Sequence, residues 1–325
     1  MIKVGLIGCG FMGGMHAACY SALAPLGVKV TAVADVRPDF AAKLADENTA
    51  VYATGMELIE KADVDVVDIC LPTHLHTAHA VAAMKAGKHV FVEKPVCVSE
   101  AEMELLLATE QETGVKVQVG QVIRQWTEYV WLKETVDSGV YGKVLHGQFR
   151  RLSSLPTWAW ENWLHQVEKS GGVAVDLHVH DVDFINYLLG LPEAVVSDAY
   201  HVSSGFDCIS TQYFYKDGPI VQATGDWNMP VSYGFRCDYI AVFENAVITN
   251  DDVGLKVCTG GGVLRQEDFP EFTTEDKYFT EIAYFLHCIR DDAENEIVPM
   301  ESTMQTIQLV TAEIEAAQTR TMVYL

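Results

Sequence analysis

Two stretches of this 325-residue chain carry side chains of a type and spacing that could do chemistry. In the first, Gly171-Gly172-Val173-Ala174-Val175-Asp176-Leu177-His178-Val179-His180-Asp181, the glycine pair precedes a predicted helix that runs to about Leu189 and is stopped by Gly190 and Pro192. Asp176 and His180 are four residues apart and share a face, which Asp183 continues three residues on. A carboxylate one turn from an imidazole can fix its tautomer and raise its basicity, which suits removal of a hydroxyl proton during hydride transfer. In that role His180 is the general base, and Asp176 its orienter or a substrate ligand. An ordinary Asp/His pair on a wet helical face, worth about 0.2–0.5 kcal/mol, has the same spacing, and the residues by themselves leave both open. His178 falls on another face and is expected to be structural. The second stretch is Glu93-Lys94-Pro95, which closes a short apolar strand at the end where a doubly wound sheet receives its ligand; a solvated ion pair before a turn proline is the competing reading.

The elements that must position these groups begin with Ile2–Ile7, an apolar run that meets Gly8-Cys9-Gly10-Phe11-Met12-Gly13 and then the helix-like Gly14–Leu23. Strand, glycine turn and helix in this order form a dinucleotide cradle, with Phe11 and Met12 in the turn. Gly8 permits the tight turn, Gly10 lets a pyrophosphate approach the backbone, and Gly13 lets helix and strand pack closely, with the phosphates at the helix N-terminus. A second strand, Val28–Ala34, ends in Asp35. An acidic side chain there can hydrogen-bond the adenosine ribose and repel a 2′-phosphate, which favours NAD. A turn aspartate capping the helix that starts near Pro38 is the competing reading, and Arg37 keeps NADP open.

Further strands and helices alternate: helix Gly55–Lys61, strand Asp65–Leu71, helix Thr77–Ala86, strand His89–Val92, helix Ser99–Thr113 and strand Val115–Val119. Apolar strands separated by amphipathic helices imply an α/β Rossmann domain, a doubly wound parallel sheet with ligand beyond its carboxyl ends. Leu71-Pro72-Thr73-His74-Leu75-His76 closes one strand in that crevice and Glu93-Lys94-Pro95 the next. After Gly120 comes a helix, Thr127–Ser138, then strand-like runs at Val144–Leu152, Ala194–Val202, Thr211–Tyr215, Ile220–Trp227, Tyr239–Phe243, Ala246–Asn250 and Gly254–Thr259, and a closing helix, Met300–Ala317. This predicts two domains, 1–120 for the dinucleotide and 121–325 for substrate and oligomerisation, the latter α+β with a large, mainly antiparallel open sheet.

Composition narrows the partners. Against 22 basic residues stand 45 acidic ones, a net charge of −23 that repels phosphate backbones and anionic lipid, so neither nucleic acid nor membrane is expected. The eight cysteines form no C-x-x-C pair, no apolar run approaches about 18 residues, and the N-terminus has no signal-peptide pattern, which together predict a cytoplasmic protein with reduced thiols. His74, His76, His79, His178, His180, Asp176 and Asp181 offer metal donors, but with no H-x-x-x-H helix or paired cysteine set no metal is expected. Trp158-Ala159-Trp160-Glu161-Asn162-Trp163 is either an aromatic wall for a sugar ring, with Trp163 nearest the glycine pair, or core and interface.

The glycine turn, Pro72-Thr73-His74-Leu75-His76, Glu93-Lys94-Pro95 and the stretch from Gly171 to Asp181 together closely resemble the Gfo/Idh/MocA family, over essentially the whole chain. The resemblance implies an NAD-dependent oxidoreductase acting on a CH–OH group of a small sugar or cyclitol. It implies that Lys94 reaches the substrate hydroxyl beside the nicotinamide and that Pro95 follows in an often cis peptide. Glu93 would border the nicotinamide ribose, and Leu71, Pro72, Thr73 and His76 would line the cofactor groove. Gln121 and Arg124 would join the substrate wall, and Asp176 with His180 would be the catalytic pair. It further implies a homodimer or homotetramer. Relatives that retain NAD and use a redox cycle for glycoside cleavage or epimerisation, and a non-catalytic NAD-sensing regulator, are the rival readings.

Overall fold

The computed structural model describes residues 1–203, 205–268 and 277–325. In chain order it holds β1 (Ile2–Ile7), α1 (Phe11–Ala22), β2 (Val28–Ala34), α2 (Pro38–Leu44), β3 (Ala50–Tyr52), α3 (Gly55–Lys61), β4 (Val66–Ile69), α4 (His76–Lys85), β5 (His89–Val92), α5 (Glu100–Thr113) and β6 (Val117–Val119). There follow α6 (Thr127–Ser138), β7 (Val144–Leu152), α7 (Val167–Ser170), a π-helical turn (Ala174–His178) and α8 (Val179–Leu189). The rest is β8 (Ala194–Tyr200), β9 (Cys208–Phe214), β10 (Ile220–Asp226), β11 (Arg236–Phe243), β12 (Ala246–Asp251), β13 (Gly254–Thr259), β14 (Gly262–Arg265), α9 (Lys277–Arg290), α10 (Met300–Thr319) and β15 (Val323–Tyr324).

Two compact units emerge. One is Met1–Val122 with the segment that carries α9 and ends at Met304; the other runs from Ile123 and includes Gln305–Leu325. The sequence boundary near Gly120 lies close to the first break. Sequence patterning assigns all of 121–325 to the second domain, however, whereas α9 packs within the first unit. Its Ile282, Phe285 and Leu286 join Val4, Tyr20 and Phe91 in one buried cluster, with the Phe91 and Phe285 rings 5.8 Å apart. The first unit's sheet, among the described residues, has the order β3-β2-β1-β4-β5-β6, all parallel, so the strand order reverses between β1 and β4. Helix α5 starts on a reciprocal cap: Ser99 accepts from Glu102 N–H, and the Glu102 carboxylate returns to Ser99 Oγ and Val98 N–H.

On the same helix, burial pushes the Glu110 carboxyl up to about 7, with the Glu301 and Glu294 carboxylates adding to the effect. Unfolding would return it to its ordinary value near 4.5. The folded chain therefore holds an extra proton between those values, and this contribution to stability falls as pH rises through the window. Glu110→Gln should raise the melting temperature at pH 8 and leave it nearly unchanged at pH 5. Equal shifts at both pH values would refute the assignment.

The second unit's sheet has the order β14-β13-β12-β11-β7-β10-β9-β8-β15 among the described residues. Only β7 and β10 run parallel; the other neighbours are antiparallel. Burial alternates along β10 and β11, so one face is covered and the other is partly open. The covered face meets the π turn and α8, and Gly225 on β10 makes this approach possible. A Cβ there would come 2.7 Å from the Cβ of His178. No helix among the described residues is long and apolar enough to cross a membrane.

Candidate active site

The glycine turn after β1 uses its three glycines for different reasons. Gly8 has φ +91°, and a Cβ there would lie 2.4 Å from the Cys70 carbonyl oxygen. At Gly13 a Cβ would lie 1.9 Å from the Gly8 carbonyl oxygen, so α1 passes the end of β1 with no room for a methyl. Gly10 has a negative φ, and a Cβ there would meet nothing closer than Arg37 Nη2 at 3.7 Å. The protein itself thus has no packing need for glycine at 10. Bare backbone at the head of α1, where first-turn N–H groups lack helical partners, fits a dinucleotide pyrophosphate. Gly10→Ala should fold with stability within about 1 kcal/mol of wild type while weakening NADH binding about tenfold or more, measured by fluorescence titration. Unchanged NADH affinity would remove the phosphate from this turn. Phe11 is largely exposed beside it and Met12 half-buried.

Asp35 and Arg37 come together after β2. One Asp35 oxygen accepts the Cys9 N–H at 2.9 Å and the other the Arg37 N–H at 2.8 Å, while the Arg37 guanidinium donates to both at 3.0 and 3.1 Å. Burial raises the Asp35 carboxyl, but the Arg37 side chain and the two backbone donors outweigh it, holding the group below the usual carboxylate range. Arg37 also lies 3.7 Å over the Phe40 ring. The N-cap residue of α2 is Arg37 and no side chain caps that helix, so Asp35 braces the glycine turn through Cys9 instead of acting as a helix cap.

Past β4, Thr73 is buried and its Oγ1 has no hydrogen-bond partner among the described residues; the same holds for Oε1 of the buried Gln121 past β6. Two orphaned acceptors at the carboxyl ends of the strands, together with the open Gly10 backbone, fit a dinucleotide in the crevice of this fold. His76 departs from its expected place in the groove wall. It is 1% exposed, with Nδ1 2.8 Å from the Pro95 carbonyl and Nε2 2.6 Å from the Leu71 carbonyl, so it ties the loop after β4 to the turn after β5. Burial lowers its pKa against the pull of those two carbonyls. Leu71 and Pro72 are half-buried in the same loop. The Lys94–Pro95 peptide is cis, Lys94 is half-buried, and the buried Glu93 accepts the Lys94 N–H at 3.1 Å.

In the second unit the residues after the glycine pair do not run as a plain α-helix. Gly171 (φ +74°) and Gly172 (φ +67°) lead into the π turn, which holds Asp176; His180 follows on α8. Both are half-buried, whereas His178, Asp181 and Asp183 are buried completely. Asp183 therefore leaves the face it was expected to share. It receives Arg124 Nε and Nη2, each at 2.7 Å, and the Thr306 hydroxyl at 2.9 Å. Arg124, expected in a substrate wall, is 1% exposed and is instead the buried counter-ion of this helix, since an unpaired carboxylate so deep would be strongly disfavoured. Arg151 does the same for Asp181 at 3.1 Å, and His178 Nε2 lies 3.0 Å from Glu313 on α10. Trp163 is half-buried in a 3-10 turn, with Trp158 and Trp160 exposed beside it. Sequence reasoning missed the His16–Asp68 pair that backs Glu93; a lone charge in Val66-Val67-Asp68-Ile69 was the available signal.

Comparisons with known proteins bear on the family and the fold. Residues 2–121 match the Gfo/Idh/MocA model described as an oxidoreductase family with an NAD-binding Rossmann fold, and residues 129–248 match a C-terminal domain model of the same family. The chain is 25% identical to the uncharacterized oxidoreductase YrbE of Bacillus subtilis, over 94% of this chain and 87% of that one. It is 26% identical to an inositol 2-dehydrogenase of Rhizobium meliloti, over 90% of each. Its fold is similar to a levoglucosan dehydrogenase solved with NADH and levoglucosan, with TM-score 0.85 and 21% identity over 99% of both chains.

Proposed function

We propose, since the chain belongs to the Gfo/Idh/MocA family of oxidoreductases with an NAD-binding Rossmann fold, that it transfers a hydride between NAD and a hydroxyl-bearing carbon of a sugar, cyclitol or sugar derivative. The observation that carries this reading is that Asp176 on the π turn and His180 on α8 are both half-buried, while the acidic groups of α8, Asp183 and Asp181, are committed to buried arginines. Relatives named for inositol and levoglucosan support a polyol as the substrate class.

The nicotinamide, when bound, supplies the hydride acceptor. His180 takes the hydroxyl proton in the oxidative direction, Asp176 orients the imidazole or holds a neighbouring hydroxyl, and the Lys94 ammonium stabilises charge developing on the substrate oxygen. Gln121 and Trp163 belong to the substrate wall in this reading; Arg124 does not. Asp35 favours NAD by repelling a 2′-phosphate. A cytoplasmic homo-oligomer completes the reading, supported by the absence of any disulfide among the described cysteines and by the partly open sheet of the second unit.

The test is a screen of inositols, hexoses, anhydro-sugars and their keto forms with NAD and NADP, followed by nicotinamide absorbance. A polyol that releases NADH over many turnovers supports the reading. Turnover of a glycoside or epimerisable sugar without accumulation of NADH overturns it in favour of a retained cofactor, and no turnover on any of them argues for a sensor.

A further inference from the structure

Strand β4 buries a carboxylate among apolar neighbours. Asp68 is 0% exposed; its Oδ2 lies 2.8 Å from His16 Nδ1 and accepts the Tyr20 hydroxyl at 2.8 Å. His16, on α1, is also 0% exposed, and its Nε2 lies 3.1 Å from Glu93 Oε1. The other Glu93 oxygen accepts the Lys94 N–H. Phe91 packs edge-on against the imidazole at 5.3 Å. Burial opposes a charged His16, but the Asp68 carboxylate outweighs it and lifts the imidazole well above its usual range. The imidazole is held between two acidic side chains, one on each ring nitrogen.

Cys70 Sγ is 3.4 Å from His16 Nδ1, and a Glu281 carboxylate oxygen lies within 4.8 Å of the His16 and Glu93 atoms. These sets carry metal-ligand chemistry on paper, but both His16 nitrogens are already occupied by carboxylates. An apolar set of the same volume would fill this core with a smaller desolvation penalty. Packing by itself therefore does not account for a chain of charges that ends at Glu93, beyond the carboxyl end of β5, where a doubly wound sheet receives its ligand.

We infer that His16 is a positioning residue. Clamped by Asp68, which Tyr20 holds in turn, it fixes Glu93 in one rotamer, and Glu93 sets the Glu93-Lys94 turn against the dinucleotide and substrate. This deepens the function proposed above and rests on it.

The test is a double-variant cycle of His16→Gln and Glu93→Gln in the full chain, read as NADH affinity by fluorescence and as kcat. Each single variant should weaken NADH binding about tenfold and lower kcat about ten- to a hundredfold. The double variant should be no worse than Glu93→Gln, because His16 acts only through it. Multiplying losses, or a His16→Gln protein with wild-type binding and turnover, overturns the inference. If His16→Gln does not fold, Asp68→Asn takes its place in the same cycle with the same outcomes required. A wild type that binds NADH but turns over no polyol removes the proposed function, while the coupling remains readable in binding.

Discussion

Lys94→Ala and His180→Ala should each lower kcat by about two to four orders of magnitude at saturating NAD, the range of a positioned acid, base or charge in a transition state. Both side chains are half-buried, and folding stability should change by about 0.5–1 kcal/mol at most. NADH binding should stay within about threefold of wild type for His180→Ala, since the proposed base serves the substrate and not the dinucleotide. Wild-type turnover in both variants, on a polyol that the wild type oxidises, would sink the assignment.

A comparably large effect belongs to a pair with no proposed part in the reaction. Asp183→Asn leaves the Arg124 guanidinium buried at 1% exposure without its carboxylate, which should destabilise the fold by about 3–5 kcal/mol in chemical denaturation. Replacing both partners by apolar residues of similar volume, Arg124→Met with Asp183→Leu, should recover most of that loss. Lost substrate affinity in Asp183→Asn with unchanged stability would instead return Arg124 to the substrate wall.

These expectations show how unevenly the sequence speaks. The parallel sheet was legible because β1, β2, β4 and β5 are short apolar runs punctuated by glycine and charge, and local patterning of that kind survives folding with only its boundaries moved. The placement of α9 was not. Ile282, Phe285, Leu286 and Ile289 have helical spacing, but nothing within Lys277–Arg290 records that its apolar face packs against Tyr20 and Phe91, more than 180 residues earlier. The same division runs through the site. Gly13 acts through backbone shape against Gly8, close in sequence, and its role follows from type and spacing, whereas Gly8 meets Cys70 and Asp35 meets Cys9, each on another strand end. Arg124, His76 and His16 each gain their meaning from a partner on another element, which spacing cannot supply.

The π turn at Ala174–His178 turns segment length into a chemical variable. A π turn spends more residues on each revolution than an α-helix does, and in an α-helix one residue corresponds to about 100° of rotation. Deleting a single residue between Gly172 and Asp176 would let the segment relax to the tighter repeat and swing everything upstream around the screw axis, without changing any side chain that bears chemistry. Asp176 and His180 are thus tuned by phase as well as by identity. A variant with both residues intact but the wrong number of residues before them would present a different set of groups to whatever lies over that face.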